Sequence, residues 1–365
     1  MPDAAHYLQQ ILLLPAPSSP VRVLNVCGGH ERSIAQMGLR SLLPDWIKLI
    51  PGPGCPVCVC PEEAIYGAIR MALEHPLTLL AFGDMLRVPV NARSKEADSL
   101  AAARAQGADI RPIASPLEVL NIARQLAPRP VVFFAAGFET TMAPVAAMLN
   151  DARLPANLFM LVAGRRTWPA VELLLKAGKA PFEAMIAPGH VAAIMGANEW
   201  RFVAQQYGIP VTVAGFSDDS LMAGLYSVLN RALRHEAALD NAYPAVVKPD
   251  GNPQAQTQLN TAFRIETASW RGIGQIEQSG FELAERHAER DAMQHFPVAI
   301  ETRKGAGQMP AACECAAVLL GQILPSACPL YGKPCTPEKP VGPCMVSDEG
   351  ACHIWWRAAQ HRMPA

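Results

Sequence analysis

The cysteines of this chain fall into two groups that lie far apart in the sequence. The first group lies near the N-terminus and comprises Cys27, Cys55, Cys58 and Cys60. The second group lies near the C-terminus and comprises Cys313, Cys315, Cys328, Cys335, Cys344 and Cys352. No cysteine occurs between Cys60 and Cys313, a gap that a random distribution would not produce. The sequence therefore predicts two cysteine-based sites that perform redox chemistry, metal chemistry or both.

The segment Cys27-Gly-Gly-His-Glu brings a thiol, an imidazole and a carboxylate to one glycine turn. It follows the apolar run 21–26 and precedes a helical pattern, a position where open α/β sheets bind ligands. The N-terminus of that helix is expected to lower the pKa of Cys27 and favour its thiolate. His30 is expected to be a base or metal ligand, with Glu31 as the partner that orients it. The alternative is a buried cysteine followed by a capping glutamate.

A second motif, Pro51-Gly-Pro-Gly-Cys-Pro-Val-Cys-Val-Cys-Pro61, also leaves a predicted strand and enters a helix. Cys55 and Cys58 have the C-x-x-C spacing of a reversible disulfide or of two ligands to one metal. A zinc site would need Cys27 and Cys60 to complete it, whereas the flanking Pro and Gly favour a positioned redox pair. We therefore expect the Cα atoms of Cys55 and Cys58 to lie within about 7 Å of each other. Cys60 is either a resolving thiol or a small buried residue.

Further polar side chains follow other predicted strands. They are Asp84 and Arg87 in FGDMLRVP, Glu139, Thr140 and Thr141 in GFETT, and His190 in PGH. Helix capping explains GFETT equally well on physical grounds, and a lone histidine is more often structural. If the strand ends of both predicted sheets face one cleft, then Cys27, Cys55, Cys58, Glu139 and His190 line it.

The tail from residue 305 onward is rich in Pro, Gly and Cys and has little periodicity. Such a segment is expected to bury little core and to need a metal centre to fold. Four thiolates from a loop-rich segment suit a 4Fe–4S cluster or a structural zinc, and spacing alone does not choose between them.

Apolar runs alternate with helical patterns over residues 20–235 and predict an α/β fold. The runs at 21–26, 47–50, 77–82, 131–136, 157–162, 184–187 and 211–215 read as strands. Helical patterns cover 62–74, 94–106, 116–126 and 219–234. The prediction is two parallel-sheet (Rossmann-like) domains, 1–127 and 128–238, followed by a small C-terminal iron–sulfur domain at 239–365. Within the last range, 240–275 reads as irregular and 277–295 as helical.

Composition excludes some classes of protein. The net charge of −1 gives no general attraction to nucleic acid or anionic lipid. The N-terminus has no basic residue before Arg22, so it makes a poor secretory signal, and no apolar run is long enough for a membrane span. We expect a cytoplasmic protein, in which cysteines are more often metal ligands or redox thiols than structural disulfides.

The sequence resembles the HypD family, the hydrogenase maturation (expression/formation) proteins of [NiFe]-hydrogenases. The matching segments run in family order from end to end. They are CGGHE (27–31), GPGCPVCV (52–59), FGDMLRVP (82–89), GFETT (137–141), PGHVAAIMG (188–196), WRGIGQIEQSG (270–280) and CPLYGKPCTPEKPVGPCMVSDEGAC (328–352). The family commonly has Thr where Gly29 and Cys60 stand here.

The resemblance implies a scaffold on which an iron carrying two cyanides and one carbonyl is assembled. It implies a HypC-type chaperone as partner, a HypE-type cyanide donor, and a 4Fe–4S cluster in a third domain. Cys27 would be the iron ligand with His30 beside it, and Cys55 and Cys58 the redox pair. The cluster ligands would be Cys313, Cys328, Cys335 and Cys352, with Cys315 as the rival to Cys313. Cys344 has no assigned role. The rival functions are a stand-alone iron–sulfur thiol–disulfide oxidoreductase and a zinc-stabilised binding module.

Overall fold

Strands and helices alternate in the computed structural model, which describes residues 2–360 apart from 94, 177–181 and 301–305. In chain order the strands are β1 (Val21–Asn25), β2 (Ile47–Pro51), β3 (Thr78–Phe82), β4 (Ile110–Ile113), β5 (Val131–Gly137), β6 (Leu158–Gly164), β7 (Ala184–Pro188), β8 (Val211–Ala214), β9 (Leu239–Asn241), β10 (Phe263–Trp270) and β11 (Gly274–Leu283). All the strands predicted from the sequence are present. β4 was not predicted, because its Ile-Arg-Pro-Ile sequence is buried only at its two ends.

The helices alternate with these strands over the α/β part of the chain. They are α1 (Ala4–Leu12), α2 (Gly28–Gln36), α3 (Leu39–Leu42), α4 (Pro56–Val59), α5 (Glu62–Glu74), α6 (Leu100–Ala105), α7 (Pro116–Leu126), α8 (Glu139–Leu149), α9 (Thr167–Lys176), α10 (Gly189–Met195), α11 (Arg201–Tyr207), α12 (Asp218–Leu233), α13 (Pro253–Ala262), α14 (Ala292–His295), α15 (Cys315–Leu319) and α16 (Ala351–Gln360). The predicted helices at 62–74, 116–126 and 219–234 match α5, α7 and α12, and the one at 94–106 is shorter, as α6.

Two parallel sheets carry the α/β part of the chain. Sheet A has the strand order β2-β1-β7-β8-β9, and sheet B has the order β4-β3-β5-β6. In sheet A, Val23 pairs with Leu49 on one side and with Ala184 on the other. All residues of β5, in the interior of sheet B, are buried. Strands buried on both faces are typical of parallel sheets covered by helices, so the predicted fold class is confirmed.

The strands do not sort between the sheets in the predicted order. The ranges 1–127 and 128–238 do not coincide with the sheets, because β7, β8 and β9 return to join β1 and β2 in sheet A. Sheet B is built from the intervening strands β3–β6. The prediction assumed that consecutive strands stay in one sheet, which is the commoner arrangement but not the one adopted here.

The helix predicted over 277–295 is wrong over 277–283, which belong to β11, and is confirmed only as a 3₁₀ helix (Glu285–Arg290) and the short α14 (Ala292–His295). Residues 263–283 form the antiparallel hairpin β10–β11, which lies against sheet B through a bridge between Arg165 and Gly280. The side chains of β10 between its two buried ends are exposed or half-buried. Polar residues on an open antiparallel strand give no apolar run, so the sequence pattern hid this hairpin.

The cysteine-rich tail buries more core than the sequence suggested. Val318 and Met345 lie in the same apolar cluster as Leu79 and Val132 of sheet B. The tail therefore packs onto the α/β part of the molecule with its own apolar side chains. Among the helices that the structure describes, none is both long and apolar enough to cross a membrane.

Candidate functional site

A cleft of about 530 Å³ lies where the carboxyl ends of strands from both sheets meet. Residues after β1, β3, β5 and β7 line it, together with part of the tail. The predicted site residues on its wall are Cys27, Asp84, Thr140, Thr141 and His190. GFETT thus lies on the same side of the molecule as CGGHE, as predicted from the positions of the strand ends.

Cys27 is the N-cap residue of α2 and is half-buried on the cleft wall. Burial raises the pKa of its thiol to about 12, and backbone N–H groups of His30 and Gly29 oppose this shift. The predicted depression of the pKa by the helix N-terminus is therefore wrong in direction. Desolvation disfavours the thiolate more than the short helix favours it. Without a bound metal, this thiol is protonated at neutral pH.

Glycines let neighbouring segments approach the Cys27 backbone closely. A Cβ atom at Gly54 would lie 2.5 Å from both the N and Cα atoms of Cys27, so only glycine fits in the 52–55 loop there. Gly28 donates its N–H to the carbonyl of Gly54 at 3.3 Å. A Cβ atom at Gly28 would lie 2.4 Å from the carbonyl oxygen of Glu349. Cys27 is thus held between the second cysteine motif and the tail.

His30 is fully buried below the cleft and does not lie on its wall. Its Nε2 lies 3.1 Å from the carbonyl oxygen of Ala214 and 3.0 Å from that of Gly215, so Nε2 carries the proton and donates. Burial lowers its pKa to about 4, which keeps the ring neutral. Nδ1 has no hydrogen-bond partner among the described residues. The ring anchors α2 to the end of β8 and presents one free lone pair.

Glu31 does not orient His30, in contrast to the prediction. Its buried carboxylate accepts hydrogen bonds from Asn25 at 2.8 Å and from the indole of Trp355 at 2.6 Å, and forms an ion pair with Arg40 at 2.9 Å. Glu31 therefore ties the CGGHE helix to β1 and to the C-terminal helix α16. Adjacent residues of a helix point in different directions, which the sequence interpretation of a His–Glu pair neglected.

Phe216 is a site residue that the sequence analysis missed. Its ring stacks on His30 at a centroid distance of 4.7 Å and packs against His190 at 3.9 Å. It also fills the space beside Gly29, where a Cβ atom would lie 2.6 Å from the ring. Phe216 lies two residues after the end of β8, so its place after a strand was the available signal.

Cys55 and Cys58 form a disulfide with a Cα–Cα distance of 5.3 Å, which confirms the predicted proximity. The pair lies behind the cleft wall, whose surface here is formed by Pro56 and Val57. Both cysteines are buried. Cys60 is buried too, and burial raises the pKa of its thiol to about 12, so it is not a reactive thiolate.

Glu139 lies beneath the cleft as part of a pair of buried carboxyl groups. Its oxygens accept from the N–H and the hydroxyl of Thr167, both at 2.7 Å. The second carboxyl group is Glu199. Its burial, and next the charge of nearby Glu139, raise the pKa of Glu199 to about 8. Arg166 lies 3.8 Å from Glu199 and partly offsets this shift. Burial also raises the pKa of Glu139.

Asp84 and Arg87 connect sheet B to the tail in different places. Asp84 lies on the cleft wall and accepts a hydrogen bond from the hydroxyl of Ser347 at 2.8 Å. Arg87 lies outside the cleft and donates to the carbonyl of Pro337. The predicted group of cleft residues therefore holds for Cys27, Asp84, Thr140, Thr141 and His190. It does not hold for Cys55, Cys58 and Glu139, which lie behind the wall, or for Arg87, which lies outside the cleft.

The tail cysteines converge on one buried region. The sulfur atoms of Cys315, Cys344 and Cys352 lie within 4.8 Å of one another, and the Sγ of Cys313 lies 3.3 Å from that of Cys315. Hydrogen bonds from Cys315 and Cys344 lower the pKa of Cys352 to about 6. Cys335 and Cys328 are close enough to interact electrostatically with members of this group. The donor set is all thiol, which suits an iron–sulfur cluster or zinc.

Comparison with known proteins agrees with the arrangement of these motifs. The family profile described as "HypD: Hydrogenase formation hypA family" matches residues 3–359. The chain is 37% identical over 355 residues to hydrogenase maturation factor HypD2 of Bradyrhizobium diazoefficiens, covering 95% of this chain and 91% of that one. It is 36% identical over 349 residues to hydrogenase maturation factor HypD of Escherichia coli, covering 95% and 91%. With Cys27, the C-x-x-C disulfide and the tail thiols in place, the chain belongs to the HypD family of hydrogenase maturation factors.

Proposed function

We propose that this chain is an assembly scaffold on which the iron of a [NiFe]-hydrogenase receives two cyanides and one carbonyl. The observation that carries the proposal is the position of Cys27. It is a thiol on the wall of a cleft where motifs from both sheets and the tail meet. A HypC-type chaperone would share the iron, and a HypE-type protein would supply the cyanide.

Cys27 is the proposed ligand of this iron, which is cargo. A thiolate suits low-spin iron that carries cyanide and carbonyl. Because the free thiol has a pKa of about 12, iron binding at Cys27 must displace a proton. His190 and Asp84 lie on the same wall and present polar groups to the cargo. His30 would act from below, by holding α2 against β8.

The tail is proposed to hold a resident 4Fe–4S cluster, which would supply one-electron chemistry beside the cleft. The residues fit such a group, because three sulfur atoms already lie within 4.8 Å of one another in a buried region. The resemblance favours Cys313, Cys328, Cys335 and Cys352 as ligands, whereas the sulfur positions favour Cys315, Cys344 and Cys352. Cys352 is common to both sets.

The Cys55–Cys58 pair is proposed to cycle between disulfide and dithiol during assembly. Its reduction takes up two electrons and two protons, and the proposed tail cluster would deliver the electrons one at a time. The pair lies directly behind Pro56 and Val57 of the cleft wall. The exposed fractions of the two side chains are 2% and 0%. Free substrates in solution do not reach a disulfide so deeply buried, which argues against a stand-alone thiol–disulfide oxidoreductase. We place the protein in the cytoplasm, where its proposed partners act.

Co-expression with the HypC-type and HypE-type partners tests this function. The complex should show the infrared bands of iron-bound cyanide and carbonyl, and about four iron and four sulfide per chain besides the cargo iron. Zinc in place of iron, with no such bands, would support the zinc-stabilised binding module instead. Turnover of small disulfides without a partner would support the oxidoreductase.

A further inference from the structure

Arg271 is a buried cation whose hydrogen bonds are incomplete. It lies at the tip of the β10–β11 hairpin and has no solvent exposure. Its backbone N–H donates to the carbonyl of Val59 at 3.0 Å, and its Nη2 donates to that of Pro89 at 2.7 Å. Nε and Nη1 have no partner among the described residues. A guanidinium keeps its charge in proteins, so burying it with unused donors opposes folding unless something fills them.

The ionisable groups around Arg271 are three thiols and one carboxylate, and the carboxylate already accepts hydrogen bonds from other groups. The turn lies against the tail, because a Cβ atom at the neighbouring Gly272 would lie 3.1 Å from the Cβ of Ala316, the residue after Cys315. Glu62, Cys315, Cys60 and Cys313 lie close enough for their negative charges to stabilise the guanidinium. The oxygens of Glu62 accept from backbone N–H groups of Asn91 at 2.8 Å and Gly307 at 2.9 Å. The guanidinium thus lies between the segment that carries Val59 and the cysteines of the tail. When those cysteines are thiolates, the guanidinium faces a group of negative charges.

We propose that Arg271 is the internal counter-ion of the tail cluster and raises its reduction potential. The inference rests on the proposed cluster. A cluster with four thiolate ligands is an anion, and one-electron reduction adds a further negative charge. A fixed buried cation with free N–H donors stabilises the reduced state more than the oxidised state. Arg271 would therefore tune the reduction potential of the cluster, and the turn of the WRGIG segment (270–274) holds its guanidinium in place.

Arg165 provides a matched control. It is also a buried arginine, with 7% of its surface exposed, and it too interacts with the charge of Cys60. Its guanidinium nitrogens are used: Nε and Nη2 donate to the carbonyl of Ser269 at 3.0 and 2.8 Å, and Nη1 to that of Gly164 at 2.7 Å. Arg165→Met therefore removes a buried charge whose N–H donors are already hydrogen-bonded to backbone carbonyls.

The test is a dithionite titration of the anaerobic, full-length protein, followed by the visible absorbance of its iron–sulfur chromophore. Arg271→Met should keep iron and sulfide but titrate at lower potential. We expect its reduction equilibrium to shift about tenfold, which is about 59 mV for a one-electron couple. Arg271→Lys, which keeps the charge and loses the planar fork, should shift in the same direction by less. Arg165→Met should titrate like the wild type.

A loaded Arg271→Met protein with the wild-type potential would overturn the inference, as would an equal shift in Arg165→Met. If Arg271→Met does not accumulate as folded protein, Arg271→Gln, which removes the charge and keeps N–H donors, decides: a lower potential supports the inference and an unchanged one overturns it. Wild-type protein that holds no iron and sulfide would refute the proposed cluster itself, a different result from an unchanged potential.

Discussion

Burial raises the pKa of the Cys27 thiol and the N-terminus of α2 lowers it, and the effect of burial is the larger. The free thiol is neutral, with a pKa of about 12. Such a thiol resists oxidation and alkylation, which act on the thiolate. A metal ion that displaces its proton converts it into a ligand. Cys27 can therefore remain unreactive in the cleft and become a thiolate ligand when iron is delivered.

The buried carboxyl pair predicts an unusual dependence of stability on pH. The pKa of Glu199 is raised to about 8, so between about pH 4.5 and 8 the native state holds a proton that the unfolded state has released. Stability should therefore fall as pH rises through this window. Glu199→Gln removes the effect and should raise the free energy of unfolding at pH 8 by about 1–3 kcal/mol, with little change at pH 5. Urea unfolding at several pH values measures this.

Glu172 provides the control for that experiment. It forms a surface i,i+4 pair with Lys176, an interaction worth about 0.3–0.5 kcal/mol. Glu172→Gln should leave the pH profile of unfolding unchanged. If Glu199→Gln keeps the wild-type slope between pH 5 and 8, then Glu199 is ionised in the native protein and the assignment fails.

At the scale of elements, the contact between the 52–55 loop and α2 sets the geometry of the site. Gly54→Ala would place a Cβ atom 2.5 Å from the Cys27 backbone, where no flexible side chain can yield. We expect it to destabilise the protein by about 1–3 kcal/mol and to expose Cys27 to alkylation. Thermal unfolding and the rate of iodoacetamide labelling measure the two effects.

Gly83 offers a control on the same cleft wall, because a Cβ atom there would meet nothing within 4 Å. Gly83→Ala should leave both the stability and the labelling rate close to wild type. Equal behaviour of the two alanine variants would mean that Gly54 does not hold Cys27 in place.

The elements show why the sequence predicted some features and missed others. β5 and β7 are buried on both faces, so their apolar runs identified them. The hairpin β10–β11 is half-exposed and polar, so its strands give no apolar run and are defined by their pairing with each other. The strand ends located Cys27, Thr140 and His190 correctly, because that rule depends only on chain direction in a parallel sheet. Side-chain direction at His30 and Glu31 depends on tertiary packing and was missed.

For the whole molecule, the tail cysteines bring separate parts of the C-terminal segment together at one buried point. Cys344 lies with Cys315 and Cys352, although sequence spacing gave it no role. Cys344→Ser should lose most of the bound iron and sulfide and make the tail more sensitive to protease. Partial retention of structure is expected, since Val318 and Met345 are buried in the shared core. Iron and sulfide analysis with limited proteolysis measures both effects.

Cys60→Ser is the control for Cys344→Ser, because Cys60 is buried in the N-terminal group and has no proposed ligand role. It should keep the full iron and sulfide content. If Cys344→Ser keeps the wild-type iron and sulfide content, Cys344 is not a cluster ligand. That result would favour the ligand set implied by the family resemblance.

The central claim is that Cys27 holds the iron that acquires cyanide and carbonyl. The most direct measurement is infrared spectroscopy of the chain co-purified with its maturation partners, comparing wild type, Cys27→Ser and Cys60→Ser. Serine keeps the shape but is a poor ligand for soft iron. Cys27→Ser should fold, keep its tail cluster and its HypC-type partner, and lose the cyanide and carbonyl bands, whereas Cys60→Ser should retain them. Normal bands in Cys27→Ser would contradict the account and place the iron elsewhere.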